Sequence, residues 1–309
     1  MARKKVSIIG AGHVGAHSAL WIGLKEIADV VLVDIVEGMP AGKALDIMEA
    51  SPVAGFDACI AGTNDYADIA GSDLVVITAG LARKPGMSRS DLIDKNSAIL
   101  KGVVAEVVRY APDSIIIVVT NPLDVMVHTA WKLSGFPPER VIGMAGALDS
   151  SRLRAFIAME LGVSVEDVQA MVIGGHADEM VPLGRYSTVA GIPLPQLLSA
   201  ERIDALMERT KKAGGEIVAL LKTGSAYYAP SAAVAEMAEA ILKDKKRVIP
   251  CAVYCKDRYG LDGVFVGVPA KLGSSGVEEI IEIELDSRER ADFDRSVAAI
   301  RELVAGLGL

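Results

Sequence analysis

One histidine of this 309-residue chain stands where it could transfer a proton to a bound molecule. His176 occurs in "VIGGHADE", at the end of an apolar segment typical of a strand, directly after Gly174 and Gly175. Imidazole suits acid/base chemistry because its ordinary pKa lies close to neutral pH. The other three histidines fall within predicted helices. A lone histidine is more often structural, so the hypothesis depends on partners elsewhere in the chain.

A carboxylate and a guanidinium that could serve as partners occur in "GALDSSRLRAFIAMELG". A helix over this stretch places Asp149 and Arg152 three positions apart on one face. The simple interpretation is a helix-starting Asp paired with a neighbouring Arg. The catalytic interpretation makes Asp149 the carboxylate that orients His176 and stabilises its imidazolium. Arg152 would then bind a substrate carboxylate through two hydrogen bonds.

Positive charge is concentrated in one loop, "ITAGLARKPGMSRSDLI", where Arg83, Lys84 and Arg89 precede Asp91. The chain as a whole is acidic, with 32 Lys and Arg against 40 Asp and Glu and a net charge of −8. This balance argues against nucleic acid or an anionic membrane as the main partner. We therefore predict that the loop closes over a bound nucleotide and contacts an anionic substrate.

A glycine motif near the N-terminus predicts a dinucleotide site. "VSIIGAGHVG" places Gly10, Gly12 and Gly15 in G-x-G-x-x-G spacing, directly after a strand and at the start of a helix. These glycines would permit a tight turn, approach of a pyrophosphate, and close packing of helix on strand. The other residues of the predicted binding turn are Ala11, His13 and Val14.

The acid that follows the second predicted strand favours NAD over NADP. Asp34 lies 19 positions after Gly15, where a carboxylate would bind the ribose hydroxyls and repel a 2′-phosphate. The alternative is a simple glycine turn followed by a helix-capping Asp. The order of strand, turn, helix, strand and acid favours the nucleotide interpretation.

The first half alternates strand-like and helix-like segments, which predicts a parallel sheet covered on both faces. Strands are predicted at 5–9, 30–34, 58–61, 74–78 and 114–120, and helices at 12–27 and 92–110. Since parallel strands end at one edge, Gly10, Asp34, Gly80 and Asn121 should line a common crevice. The predicted fold class is α/β, with an N-terminal doubly wound Rossmann domain over 1–145.

The second half predicts a C-terminal α+β catalytic domain over 146–309. We expect a helix at 148–162, strands at 167–175, 186–191 and 247–255, and a final helix at 288–307. A long helical tract over 200–242 should be interrupted near Gly224 and Pro230. A cleft between the halves would hold the substrate.

Composition indicates a cytoplasmic protein without a membrane partner or a bound metal. The mean hydropathy is +0.37, yet the apolar runs are far shorter than the roughly 20 residues of a membrane span. The start "MARKKVSIIGAG" imitates a signal peptide, but glycines and His13 break its apolar run. Three cysteines without zinc-type spacing argue against a disulfide framework. "CAVYC" is expected to place two small apolar residues on one strand face.

With these residues identified, the chain resembles the malate dehydrogenases, in the lactate-dehydrogenase-like branch of that family. The resemblance covers essentially the whole chain. Its motifs, in family order, are "GAGHVG", "TAGLARKPGMSRSDL", "VTNPLD", "DSSR", "GGHADEMVPL" and "KTGSAYYAP".

The resemblance implies a role for each candidate catalytic residue. His176 matches the catalytic acid/base, Asp149 its orienting carboxylate, and Arg152 the residue that binds the carboxylate next to the reacting carbon. Arg89 matches the residue that polarises the carbonyl. Arg83 occupies the specificity position, where similar lactate enzymes carry Gln.

Further contacts are implied for Asn121 with substrate and nicotinamide, for Asn96 and Val119 with the cofactor, and for Ser225 at the border of the substrate pocket. The implied activity is reversible, NAD-dependent interconversion of malate and oxaloacetate, a tricarboxylic acid cycle reaction. The substrate is thus a small dicarboxylate, and the implied assembly is a homodimer or homotetramer.

Two alternatives remain open. A lactate or other 2-hydroxy-acid dehydrogenase would share every catalytic group and differ chiefly at Arg83. A non-catalytic NAD-binding sensor is suggested by Ala177, because the family pattern has Gly after the catalytic His. If that position needs a positive φ, Ala would add strain of roughly 1 kcal/mol.

Overall fold

The computed structural model describes residues 3–81, 89–176 and 178–307, and of Arg89 only the main chain. The predictions made for Arg83, for the Arg89 side chain and for Ala177 therefore lie outside what is described.

The first half forms a parallel sheet. Its strands are β1 (Lys5–Ile9), β2 (Asp29–Val33), β3 (Ile60–Thr63), β4 (Leu74–Ile77), β5 (Ile115–Val118) and β6 (Val141–Gly143). They lie in the order β3-β2-β1-β4-β5-β6, with every neighbouring pair parallel. This is the doubly wound order that places a nucleotide at the carboxyl edge. It confirms the predicted Rossmann sheet and adds β6, which was not predicted.

Helices cover both faces of this sheet, because its strands are apolar on both sides. They are α1 (His13–Leu24), α2 (Met39–Ala54), α3 (Arg89–Tyr110) and α4 (Leu123–Ser134). Successive residues of one strand pack in two different cores: Val76 of β4 lies in one and Ile77 lies in the other. Side chains of successive strand residues point to opposite faces, so such strands need a helical layer on each side.

The described residues of the second half add strands of very different length, from two residues to 13, and further helices. The strands are β7 (Val168–Gln169), β8 (Val172–Gly174), β9 (Met180–Pro182), β10 (Thr188–Val189), β11 (Ile192–Pro193), β12 (Arg247–Arg258), β13 (Leu261–Gly273) and β14 (Gly276–Ile280). The helices are α5 (Gly146–Leu161), α6 (Ala200–Leu221), α7 (Tyr228–Leu242) and α8 (Ser287–Ala305).

A long hairpin joins the two halves through one sheet. Strand β12 pairs antiparallel with β6 at Ala252 and Gly143, and β13, β8 and β9 extend the sheet beyond it. The end of β8 leads to the segment that carries His176, which is thereby fixed to the same sheet as the nucleotide-binding edge.

Two details of the second half differ from the sequence prediction. The strand expected at 167–175 is divided into β7 and β8, which belong to different sheets. The helical tract is interrupted at 222–227, around Gly224 as predicted, but Pro230 lies beyond the interruption, in the first turn of α7, where its missing N–H costs no helical hydrogen bond.

Cys251 and Cys255 are both buried on β12, as predicted for small apolar residues, and burial raises the pKa of the Cys255 thiol to about 12.

Over the described ranges, no helix combines the length and apolar character needed to cross a membrane.

Candidate active site

A cavity of about 1320 Å³ opens where the carboxyl edge of the parallel sheet meets the second half. Gly80 and Asn121, which follow β4 and β5, line it together with Arg152 and His176. Gly10 and Asp34 lie at the same sheet edge, since they follow β1 and β2. The prediction of a common crevice is thus met in part: Gly80 and Asn121 line the cavity, whereas Gly10 and Asp34 are not among the described residues that line it.

The glycine turn has the geometry of a pyrophosphate site. Gly10 has a φ of +105°, and a Cβ on Gly15 would lie 1.9 Å from the Gly10 carbonyl oxygen. These two glycines allow α1 to pack directly against the turn. A Cβ on Gly12 would meet nothing within 4 Å, so the space in front of the helix N-terminus is open. Free N–H groups at such a terminus bind phosphate oxygens, and this part of the structure fits a dinucleotide.

The side chains of Asp34 and Lys43 both form hydrogen bonds with the main chain of Ala11 in the turn. The Asp34 carboxylate accepts the Ala11 N–H at 2.7 Å through Oδ2 and the Val36 N–H at 3.0 Å through Oδ1. Lys43 Nζ donates to the Ala11 carbonyl oxygen at 2.6 Å. The carboxylate thus stands where a ribose-binding acid is expected. The sequence analysis missed Lys43, since nothing in its spacing relates it to the turn.

Asn96 is fully buried and joins α3 to two loops of the crevice. Its Oδ1 accepts the Leu81 N–H at 2.8 Å, and its Nδ2 donates to the carbonyl oxygens of Leu81 at 3.2 Å and Asn121 at 2.7 Å. Asn96 is not among the described residues that line the cavity, whereas Val119 and Asn121 are. The structure therefore places Asn96 behind the wall, where it holds Asn121.

At the reacting centre, His176 and Asp149 are hydrogen-bonded, as predicted from the sequence. His176 Nδ1 lies 2.8 Å from Asp149 Oδ2, and Arg152 Nη1 donates to Asp149 Oδ1 at 3.3 Å. Asp149 is 1% exposed. A buried carboxylate acceptor keeps the proton on Nδ1, which leaves Nε2 as the nitrogen that exchanges a proton with a ligand.

The charges around His176 favour its protonated form. Burial by itself would lower the pKa of the imidazole, but the hydrogen-bonded carboxylate of Asp149, helped by Asp124, outweighs it. The nearby guanidinium of Arg152 opposes this effect only in part. The pKa of His176 is therefore raised above its ordinary value, as a proton donor at neutral pH requires.

Asp124 is a second carboxylate at this centre that the sequence analysis did not single out. It lies in the first turn of α4 and is 7% exposed, and its Oδ2 accepts the main-chain N–H of His176 at 2.9 Å. Burial raises the pKa of Asp124 to about 6, although the charge of His176 opposes the rise. The only sequence signal was its place at the end of "VTNPLD".

Two serines fix the main chain that precedes His176. Ser296 of α8 accepts the Gly175 N–H at 2.7 Å, and Ser150 of α5 accepts the Val172 N–H at 3.0 Å. The strand that leads to His176 is thus tied to the helix that carries Asp149 and to the C-terminal helix. His176 has little freedom to move away from its partners.

The remaining predicted residues lie on two sides of the cavity. Val14 and Ser225 line it. His13 is exposed at the start of α1, where its ring stacks on Tyr227. Lys211, which is paired with Glu208 at 2.9 Å, and Lys222 also line the cavity; neither was predicted.

The model of the lactate/malate dehydrogenase NAD-binding domain matches residues 4–143, and that of the alpha/beta C-terminal domain matches residues 146–305. The chain belongs to the lactate/malate dehydrogenase family. It is accordingly an NAD-dependent oxidoreductase, which confirms the family, cofactor and fold class predicted from the sequence.

Relatives within the lactate/malate dehydrogenase family match over the full chain. A malate dehydrogenase of Desulforudis audaxviator is 57% identical over 100% of both chains. The structure of a malate dehydrogenase from Salinibacter ruber superposes with a TM-score of 0.95 at 55% identity, covering 98% of this chain and 97% of that one.

A lactate dehydrogenase from Cryptosporidium parvum, solved with lactic acid and the dinucleotide, superposes with a TM-score of 0.96 at 45% identity, covering 100% and 99%. Because members with either substrate superpose equally well, the backbone does not select between malate and lactate. That choice depends on side chains in the substrate site.

Proposed function

We propose that this chain catalyses the reversible interconversion of malate and oxaloacetate with NAD, and that His176 is the acid/base. The observation that carries the proposal is the His176–Asp149 pair, which faces the same cavity as Arg152 and the loops of the nucleotide edge. The full-length relatives, which are malate dehydrogenases, favour malate over lactate. When bound, NAD supplies the hydride acceptor and NADH the donor for the substrate's 2-carbon.

Side chains of the protein transfer the proton and bind the substrate's carboxylate. In oxaloacetate reduction, His176 donates the Nε2 proton to the oxygen that becomes the hydroxyl; in malate oxidation, neutral His176 accepts it. Asp149 keeps Nδ1 protonated and stabilises the imidazolium. Arg152 binds the carboxylate beside the reacting carbon through its planar guanidinium.

Two arginines complete the proposed substrate site on the strength of the sequence. Arg89 stabilises the charge that develops on the reacting oxygen. Arg83 binds the distal carboxylate of the dicarboxylate substrate and is the specificity residue. Asn121 and Ser225 contact the substrate from the cavity wall.

The proposed cofactor contacts come from the turn and from the strand ends behind it. They are Gly10, Ala11, Gly12, His13, Val14, Gly15, Asp34, Asn96, Val119 and Asn121. The open space at Gly12 and the carboxylate of Asp34 support this assignment, and Asn96 acts through Asn121 in this arrangement.

The proposed domain division is 1–145 for NAD binding and 146–309 for substrate binding and catalysis. The connection from β6 to α5 supports it, because β6 ends the parallel sheet and α5 carries Asp149. We further propose that the enzyme acts in the cytoplasm.

The proposed assembly is a homodimer or homotetramer. Apolar side chains on the outer face of α2 support it: Leu45 is 61% exposed and Val53 is 93% exposed. Burial of such residues against a second copy of the chain is favourable by about 25 cal/mol per Å² of apolar surface. Light scattering of the purified protein gives the number of copies.

Substitution of Arg83 tests the substrate assignment. Pyruvate has no second carboxylate, so a desolvated guanidinium would be left unpaired, at a cost of about 2 to 5 kcal/mol. Arg83→Gln should shift the ratio of kcat/KM for oxaloacetate over pyruvate toward pyruvate by at least about 30-fold. NADH oxidation followed at 340 nm with each 2-oxo acid measures this ratio.

Lys84→Gln removes a neighbouring charge of the same loop and serves as the matched control; it should leave the ratio nearly unchanged. Equal rates of NADH oxidation with oxaloacetate and pyruvate in the unmutated protein would overturn the malate assignment in favour of a broader 2-hydroxy-acid dehydrogenase. NADH binding without turnover of either acid would favour the sensor.

A further inference from the structure

Two aromatic rings that are far apart in sequence stack beside the cavity, next to Val14 and Ala226 of its wall. The rings of His13 and Tyr227 have centroids 4.9 Å apart and planes inclined by 23°. His13 is the first residue of α1, and Tyr227 directly precedes α7. The stack therefore joins the nucleotide-binding turn to the second half of the chain.

Tyr227 ends a segment that forms part of the cavity wall. The residues of this segment, which we call the α6–α7 connection, are Lys222, Thr223, Gly224, Ser225 and Ala226, and all of them line the cavity. The connection is anchored at its ends, where Lys222 N–H donates to Val218 and Ser231 N–H donates to Tyr227. Contacts of the Tyr227 side chain therefore act on one end of the connection.

The surroundings of Tyr227 show that α1 holds its ring. The ring also lies 4.9 Å from that of His17, one turn further along α1. His17 Nδ1 is 2.7 Å from the His13 carbonyl oxygen, which keeps the two histidines together. Tyr228, the next residue, makes an edge contact with His17 at 5.1 Å.

We propose that His13 and Tyr227 are positioning residues that hold the α6–α7 connection in place for the dicarboxylate substrate. The inference rests on the proposed function and extends it. The stack sits on the first turn of the helix whose N-terminus faces the pyrophosphate, so the cofactor site and this part of the substrate wall share one support. An aromatic pair contributes about 0.5 to 1.5 kcal/mol. This is enough to favour one position of a short connection, but it is small compared with the free energy of unfolding of the whole protein.

Substitution of Tyr227 tests the inference. Tyr227→Ala should raise the KM for oxaloacetate about 3- to 10-fold at saturating NADH, the range that corresponds to the energy of one stacked pair. The kcat and the dissociation constant of NADH, measured by fluorescence, should change less than about twofold, because neither the reacting groups nor the glycine turn is altered. Tyr227 is only partly buried, and a thermal melt checks that the variant folds.

Tyr227→Phe is the matched control. It keeps the ring but removes the hydroxyl, which donates to the Tyr228 hydroxyl at 3.2 Å. This variant should have the KM of the unmutated protein. A KM raised as far as in Tyr227→Ala would assign the effect to the hydroxyl and overturn the stacking proposal.

A double-mutant cycle with His13→Ala separates the pair from its individual residues. If the stack acts as a unit, removal of His13 should have little further effect on the oxaloacetate KM once Tyr227 is Ala. Additive effects of the two substitutions, or an unchanged KM in Tyr227→Ala, would contradict the proposal.

Failure of the proposed function gives a different result. It would be seen in the unmutated protein as absent or non-selective turnover of oxaloacetate. The KM of each variant is then measured with the 2-oxo acid that the protein does reduce. If no acid is turned over, the affinity of each variant for malate is measured by calorimetric titration into the NAD-saturated protein.

Discussion

The nucleotide end and the reacting centre of the cavity are built in different ways. At the nucleotide end, the turn itself consists of main chain and glycines within the six residues from Gly10 to Gly15, and the Asp34 and Lys43 side chains support its main chain at Ala11. At the reacting centre it comes from buried polar side chains. Asp124, Asp149, His176 and Ser296 belong to segments far apart in sequence.

This difference affects how each region responds to mutation. The nucleotide end depends on the absence of side chains, so an added methyl group is the damaging change. The reacting centre depends on charges that shift one another's pKa values. There, the damaging change is the loss of a charge, even when the shape of the side chain is preserved.

Asp149→Asn should have the largest effect. The amide keeps the size of the side chain but no longer stabilises the imidazolium or fixes the Nδ1 proton of His176. We expect kcat to fall by about 10³ to 10⁴, as for an orienting carboxylate in other His/Asp pairs. Steady-state kinetics with oxaloacetate measure it, and NADH affinity should be retained. A decrease of less than tenfold would show that Asp149 is only structural.

Asp124→Asn should change how stability depends on pH. The pKa of Asp124 is raised from 3.8 to about 6 in the folded protein, so the folded state binds the proton more tightly than the unfolded state. This stabilisation is fully present below about pH 4 and is lost as the pH rises through 6, at most about 3 kcal/mol. Asn does not titrate.

Urea unfolding of the Asp124→Asn variant and the unmutated protein at several pH values between 4.5 and 7.5 checks this prediction. The variant should gain stability relative to the unmutated protein as the pH rises. A difference independent of pH would mean that Asp124 has the same pKa in the folded and unfolded states.

Gly12→Ala should have a smaller effect, confined to cofactor binding. Gly12 has a φ of −63°, which suits any residue, and a Cβ there would touch no protein atom within 4 Å. The variant should unfold at the same temperature but bind NADH about tenfold more weakly, because the methyl group occupies the space of the pyrophosphate.

Gly15→Ala is the contrasting variant for that measurement. Its Cβ would lie 1.9 Å from the Gly10 carbonyl oxygen, so it should lower the melting temperature as well as NADH affinity. Unchanged NADH binding in Gly12→Ala would place the pyrophosphate elsewhere.

The same contrast explains how much could be predicted from the sequence. The glycine turn and Asp34 were recognised because local spacing specifies them, and the doubly wound sheet was recognised from its alternating pattern. The pairing of Asp149 with His176 was one of two interpretations of the residues, and the family resemblance favoured it. Asp124 and Ser296 were missed because their contacts with the main chain around His176 arise only when α4 and α8 pack against the end of β8. No sequence period encodes such a contact.

The hairpin of β12 and β13 shows the same limit at the level of the fold. The apolar segment at 247–255 was predicted as a strand, but its pairing with β6 could not be. This pairing, in which Ala252 lies opposite Gly143, joins the two halves into one sheet. Long-range pairing of this kind depends on the packing of the whole chain.

The most direct test of the central claim is the pH dependence of kcat/KM in both directions. If His176, with its raised pKa, carries the proton, oxaloacetate reduction should fall with rising pH, with a midpoint above the ordinary histidine value of 6.5. Malate oxidation should rise over the range in which His176 loses its proton. Oxaloacetate reduction that rises with pH, or that falls with a midpoint below 6.5, would contradict the assignment of His176 as the acid/base.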